Sequence, residues 1–357
     1  MERLVYVGTY TTGKSEGIYV YRMNAMSGQL TPAATVSGVT NPSFLTIDRS
    51  GKRLFCVNEL QQFNGKPGGA VSAFAVDRAT GNLKFLNQEP SLGADPCHLV
   101  LDNTGKYVIA ANYTGGSVVV LPVLPNGSLG AATDFVQHKG SSVNRERQEG
   151  PHAHCVAIDR DNRFVLVADL GLDKIMIYRL NIREGKLVPN DPPSVDVKPG
   201  SGPRHIVFHP NGNYLYSVNE LDSTVMVFAW DRQRGALIRR QTVATLPAGF
   251  SGSNTGAEIE LTPSGRYLYA SNRGHDSLAI FSVDGQDGSL NYVADQATLG
   301  KTPRSFGIDP DGKFLMAANQ GTDSLVTFQI NSATGKLDPG GQTVQVPSPV
   351  CVQFLPG

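Results

Sequence analysis

Gly202–Glu220, GPRHIVFHPNGNYLYSVNE, decides how this 357-residue chain is read. Two apolar runs, Ile206 to Phe208 and Tyr214 to Val218, flank the turn Pro210-Asn211-Gly212-Asn213. Short β-prone runs about an Asn-Gly turn predict an antiparallel hairpin. Arg204 and His205 precede the first run, and Glu220 follows the second. The start of one antiparallel strand and the end of the next share an edge, so Arg204 and Glu220 are expected side by side.

The same hairpin recurs from Asn41, Asp95, Gly150, Thr255 and Thr302. An Asn closes its second strand at Asn58, Asn112, Asn219, Asn272 and Asn319, with Asp169 in that place in the third repeat. Each hairpin is followed by a third apolar run, such as AVSAFAV from Ala70 or TVMVFAW from Thr224, and most then reach a Gly-x-Leu turn. No stretch carries a helical period with caps. A repeat of roughly 50 residues built from four antiparallel strands is a propeller blade. Leu4 to Gly8, Gly17 to Met23 and Leu30 to Ser37 match strands two to four of a further blade, whose first strand is the C-terminal run from Ser348. The expectation is all-β: one seven-bladed β-propeller domain over residues 1–357, closed by pairing of its two ends.

The totals narrow the function classes. Net charge is zero, with 31 basic and 31 acidic residues, so nothing points to nucleic acid or a membrane surface as partner. Cys56, Cys97, Cys155 and Cys351 form no C-x-x-C pair and read as reduced, buried thiols. With no signal-like N-terminus and no run of ~18 apolar residues, a cytoplasmic location is expected.

Blade geometry puts short regular turns on one face and the insertions 61–69, 138–150 and 247–256 on the other, where function is expected. His98, His152, His154, Arg204, Glu258 and Arg304 open first strands on that face, and Glu59, Glu220 and Arg273 close second strands there. First strands are innermost, so these side chains are expected to ring the mouth of the central channel, as an enzyme site for an anion would. Arg145 and Arg147 read either as a solvated run or as a lid contact for that anion. Gly8 to Ser15 spells the phosphate-loop pattern G-x-x-x-x-G-K-S, but a strand follows it rather than a helix, so it reads as a plain loop. His152-x-His154 lacks a third ligand, so no metal is expected.

Arg147-Gln148 with Pro151-His152-Ala153-His154, Gly202-Pro203-Arg204-His205, Asn219-Glu220, Ala257-Glu258-Ile259, Ser271-Asn272-Arg273-Gly274 and Pro303-Arg304-Ser305-Phe306-Gly307 together resemble the seven-bladed propeller lactonase family over essentially the whole chain. The resemblance implies hydrolysis of a phosphorylated sugar lactone, 6-phosphoglucono-1,5-lactone, without a cofactor. By likeness to the family's carboxymuconate-cyclising members it also implies catalytic roles for one of the pair His152 and His154, with His154 taken first, and for Arg204 and Glu220. Arg147, His152, Glu258, Arg273 and Arg304 are then the expected substrate contacts, with Arg273 and Arg304 on the phosphate. Glu220 as general base, or a His as base with Glu220 orienting it, are both open, and Arg204 with a His is expected at the oxyanion. A lactonising isomerase and a non-enzymatic scaffold are the alternatives. A monomer or weak dimer is expected.

Overall fold

The computed structural model describes residues 2–356. Seven antiparallel sheets follow one another around a ring. Blade one comprises Leu45–Ile47, Arg53–Asn58, Ala70–Val76 and Leu83–Pro90. Blades two to five start at Pro96, Ala153, Pro203 and Thr255 and have the same up-and-down order of four strands. In blade six, which starts at Pro303, the outer edge is split between Leu337–Asp338 and Thr343–Gln345. Blade seven joins the ends of the chain: Pro349–Phe354 is its inner strand and pairs with Glu2–Thr9, followed by Gly17–Asn24 and Leu30–Ser37. No helix is long and apolar enough to cross a membrane.

The core is distributed. Seven apolar clusters occupy the seven interfaces between neighbouring blades. Successive residues of a second strand therefore enter different clusters. Leu54 and Cys56 pack towards blade seven, and Phe55 and Val57 towards blade two. Burial on both faces explains why these strands read as unbroken apolar runs and not as alternating ones.

The inner hairpin turns are set by their first residue. Asp102 accepts from the amides of Lys106 and Tyr107, both at 2.7 Å, and Asp309 accepts from those of Lys313 and Phe314 at 2.6 and 2.7 Å. Glycine ends the turn with positive φ, as at Gly212 (φ 75°); in blade three Asn162 (φ 57°) takes that place, as Asn tolerates this conformation.

One backbone irregularity positions the site. In blades two, three, four and six the inner strand carries a β-bulge after its first residue. The extra residues are Cys97, His154, Arg204 and Arg304. In blade five the shift falls between Gly256 and Ile259 and displaces Ala257-Glu258. A bulge re-aims a side chain and is common beside active sites.

Candidate active site

The bulged residues meet the residues that close second strands. Together they line a cavity of about 390 Å³ on the insertion-bearing face. Cys97, His154 and Arg304 come from bulges. Tyr10, Glu59, Tyr113, Glu220 and Arg273 stand at or just past the ends of second strands, in five different blades. Arg147, from the 138–150 insertion, and Thr255 complete the wall.

Glu220 is the electrostatic centre. Arg147 donates to its Oε1 at 2.6 Å, while Arg273 and Arg204 approach Oε2 at 3.0 and 3.1 Å. Burial alone would raise the Glu220 carboxyl; Arg273, Arg204 and Arg147 overturn that and hold it at about 2. The expected Arg204–Glu220 neighbourhood is thus observed. Arg204, however, is 2 % exposed and does not line the cavity; its Nη1 donates to the Ala257 carbonyl at 2.7 Å. It pairs with Glu220 behind the cavity wall, whereas an oxyanion donor was expected to stand in it.

The other arginines differ from it and from each other. Burial, with Arg204 and Arg304 nearby, pushes Arg273 down to about 9, even though Glu220 opposes the shift. Arg273 Nη2 also donates to the Gly256 carbonyl at 3.0 Å. Position 256 needs glycine for a separate reason: a Cβ there would lie 2.7 Å from the Asn219 carbonyl oxygen. Arg147 reaches Tyr113 Oη at 3.2 Å and is the most exposed of the four. Arg145, beside it in sequence, is exposed. Arg304 makes no ion pair and no hydrogen bond with any described residue; its guanidinium lies 5.3 Å from the Tyr10 ring centre.

Glu59 faces neutral donors. Tyr10 Oη lies 2.9 and 3.0 Å from its two carboxylate oxygens, and Ser43 Oγ donates to Oε2. Burial pushes the Tyr10 phenol up, which keeps it a donor.

The two expected histidines separate. His154 lines the cavity and is buried; burial first, then Arg204, His205 and Arg304, pushes it well below the usual range, so its imidazole is neutral. Its Nδ1 lies 3.7 Å from Cys97 Sγ. Burial and Glu59 raise the Cys97 thiol, so it is not a thiolate nucleophile. His152 stands behind the wall, stacked on Tyr113 with ring centres 4.5 Å apart and bonded to Glu149 and the Tyr113 carbonyl, both at 3.1 Å. Glu258 also lies outside the lining. It is buried against His205 Nδ1 at 2.6 Å and Ser305 Oγ at 3.2 Å. His98 is likewise buried, 5.1 Å from His205 between ring centres. The channel mouth therefore carries fewer of the first-strand residues than expected: in blades two, three and six only the bulged residue of the inner strand reaches the cavity, and in blade four the bulged Arg204 stops short of it. Tyr10, Tyr113, Cys97 and Thr255 were not anticipated. The signal for the first two is their position: each directly follows the end of a second strand, as Glu59 and Glu220 do.

The lactonase family of seven-bladed β-propellers matches residues 4–354. The chain belongs to this family. It is 37% identical to a 6-phosphogluconolactonase of Bacillus subtilis over 98% of this chain and 97% of that one. It is 34% identical to a 6-phosphogluconolactonase of Formosa agariphila over 85% of this chain and 86% of that one. The solved periplasmic gluconolactonase of Pseudomonas aeruginosa superposes with a TM-score of 0.94 at 36% identity, covering 99% of each chain. Family membership agrees with the resemblance drawn from the repeated motifs.

Proposed function

We propose that this protein is a 6-phosphogluconolactonase, opening 6-phospho-D-glucono-1,5-lactone to 6-phosphogluconate in the oxidative pentose phosphate pathway. One observation carries the choice of a phosphorylated lactone. Three guanidiniums and two carboxylates line the cavity, which leaves positive charge for the substrate to match. A phosphate monoester dianion supplies that charge. Arg147 and Arg273 take the phosphate through nitrogens that Glu220 does not use, and Glu220 holds the two at a fixed separation. Arg304 is attracted by Glu59 and Glu220 but locked to neither by an ion pair, which leaves its guanidinium for the lactone carbonyl, where negative charge develops only in the transition state. His154, being neutral, adds a hydrogen bond to the substrate. Arg304 is thereby moved from the phosphate to the oxyanion.

A sugar phosphate does not cross a bilayer, so the reaction is assigned to the cytoplasm.

A gluconolactone without phosphate is the second reading, favoured by the Pseudomonas relative. Rates above spontaneous hydrolysis, measured on both freshly made lactones, separate the two. Turnover should be confined largely to the phosphorylated lactone, and Arg147→Ala should raise its KM about 10- to 100-fold, the worth of one charge-assisted contact. Equal turnover of both lactones, with KM unmoved by Arg147→Ala, would establish the second reading instead.

A further inference from the structure

We infer that Glu59, hydrogen-bonded by Tyr10 and Ser43, is the general base that activates water in this cavity. The inference rests on the lactonase reading above. Two carboxylates line the cavity, and they occupy corresponding places: Glu59 follows Asn58 and Glu220 follows Asn219, at the ends of second strands in blades one and four. Their neighbours differ in kind. Glu220 is met by three guanidiniums. Among the described residues Glu59 has no such ion pair, and its donors are the neutral hydroxyls of Tyr10 and Ser43. A carboxylate neutralised by three cations orients those cations and accepts a proton poorly. One bonded only to hydroxyls has no guanidinium locked against it and is free to hold a water. When two carboxylates share a site in opposite environments, their roles divide accordingly.

The hydrogen-bond count agrees. A carboxylate offers about four lone-pair positions. Tyr10 and Ser43 converge on Oε2, and only Tyr10 reaches Oε1. An Oε1 lone pair is therefore left for water, on a side chain in the cavity wall. Arg304, also in the wall, lies over the Tyr10 ring. Base and oxyanion donor thus share Tyr10 as a common neighbour. Burial and Glu59 push the Cys97 thiol up, which makes it a poor competing nucleophile.

The step balances with water alone. Water oxygen bonds to the lactone carbonyl carbon while its proton passes to Glu59, and the carbonyl electrons move onto the oxygen facing Arg304. Collapse breaks the bond to the ring oxygen, which leaves with the proton held by Glu59. The new carboxyl group then loses its own proton to solvent, and Glu59 is regenerated as carboxylate.

The test compares wild type, Glu59→Gln, Glu59→Ala and Glu220→Gln on freshly generated 6-phosphogluconolactone, with 6-phosphogluconate affinity and thermal midpoint measured on each. Glu59→Gln should lower kcat about 100-fold or more, the usual worth of a general base, with KM and product affinity within about threefold of wild type. Added formate should restore part of the rate of Glu59→Ala and none of that of Glu220→Gln. A Glu59→Gln rate within about threefold of wild type overturns the inference. So does a rate loss matched by lost product binding without formate rescue, which makes Glu59 a structural partner of Tyr10. A wild-type protein that accelerates neither lactone removes the lactonase reading itself, and is a different result from an active wild type with an active Glu59→Gln.

Discussion

Glu220 has three guanidinium neighbours, and its behaviour in acid follows from them. Its carboxyl is held at about 2 against an ordinary value of 4.5, so the ion pairs stabilise the folded state fully above pH ~5. That stabilisation is lost as pH falls from about 4.5 towards 2, where the folded state also takes up the proton. At ~1.4 kcal/mol per tenfold difference in proton affinity, the loss is about 3 kcal/mol. Urea unfolding followed from pH 6 to 2.5 should show this loss in wild type and not in Glu220→Gln, where no carboxylate is left to titrate. Parallel curves for the two proteins would mean that the arginines do not hold Glu220. The pairing of Arg204 with Glu220 was legible in the sequence, since hairpin geometry puts them at one edge. The different fates of Arg204 and Arg304 were not, because the bulges that aim them are backbone features with no composition of their own. Tyr10 was obscured for another reason: it lies inside the octapeptide that imitates a phosphate loop.

Strand ends carry a repeated device, and blade three shows how it is varied. In blades two, five and six the closing Asn of the second strand donates its side-chain amide to a carbonyl where the preceding segment ends: Asn112 to Ser91 at 3.1 Å, Asn272 to Thr245 at 2.8 Å, Asn319 to Thr298 at 3.0 Å; Asn219 turns instead to Thr224 Oγ1 at 2.8 Å. Asp169 has no amide to donate. The residue before it in the ring is His138, whose Nδ1 donates to Asp169 Oδ2 at 2.6 Å while Nε2 meets Tyr178 Oη at 3.0 Å. Donor and acceptor have changed sides. Asp169 Oδ1 also accepts from the amides of His152 and Leu172 at 2.8 and 3.1 Å. The departure from Asn was visible in the sequence as a local turn variant; its partner, thirty-one residues upstream, was not. Because His138 opens the insertion that carries Arg147, this pair ties the lid to the blade. Asp169→Ala leaves the imidazole and two amides without their acceptor in a buried place. It should cost about 3 kcal/mol or more, and by loosening Arg147 it should raise KM for the phosphorylated lactone more than it lowers kcat. Urea midpoints and steady-state kinetics check both. An unchanged KM would show that the insertion holds its shape without the pair.

At the scale of the whole molecule the ring has to close, because no blade has a core of its own. Each apolar cluster is shared between two neighbours, so an open ring exposes two half-clusters and the unpaired edge of a strand. The seven-fold period was legible because burial on both faces made every second strand an apolar run, and the split blade followed from counting strands at the ends. Closure rests on Pro349–Phe354, where Val350, Cys351 and Val352 are buried, as is Leu355 just beyond. Cys351 and Leu355 pack towards blade one, and Val352 towards blade six. At ~1.5–3 kcal/mol for each buried side chain, these four contribute roughly 6–12 kcal/mol, which is comparable with the whole stability of a typical folded domain. A chain ending at Pro347 should therefore lack a cooperative unfolding transition. Chain connectivity is not what matters, since Val5 already lies opposite Phe354 across the seam. A circular permutant with residues 356 and 2 joined by a short Gly-Ser linker, and new ends in the exposed turn 284–287 of blade five, keeps every inner strand in place. It should unfold cooperatively within about 2 kcal/mol of wild type, the scale of a surface loop change. Calorimetry on the two proteins separates the contributions. A truncated chain that melts like wild type would show that six blades hold the ring unaided, and a permutant that fails to fold would show that the order of the chain, and not the seam, carries closure.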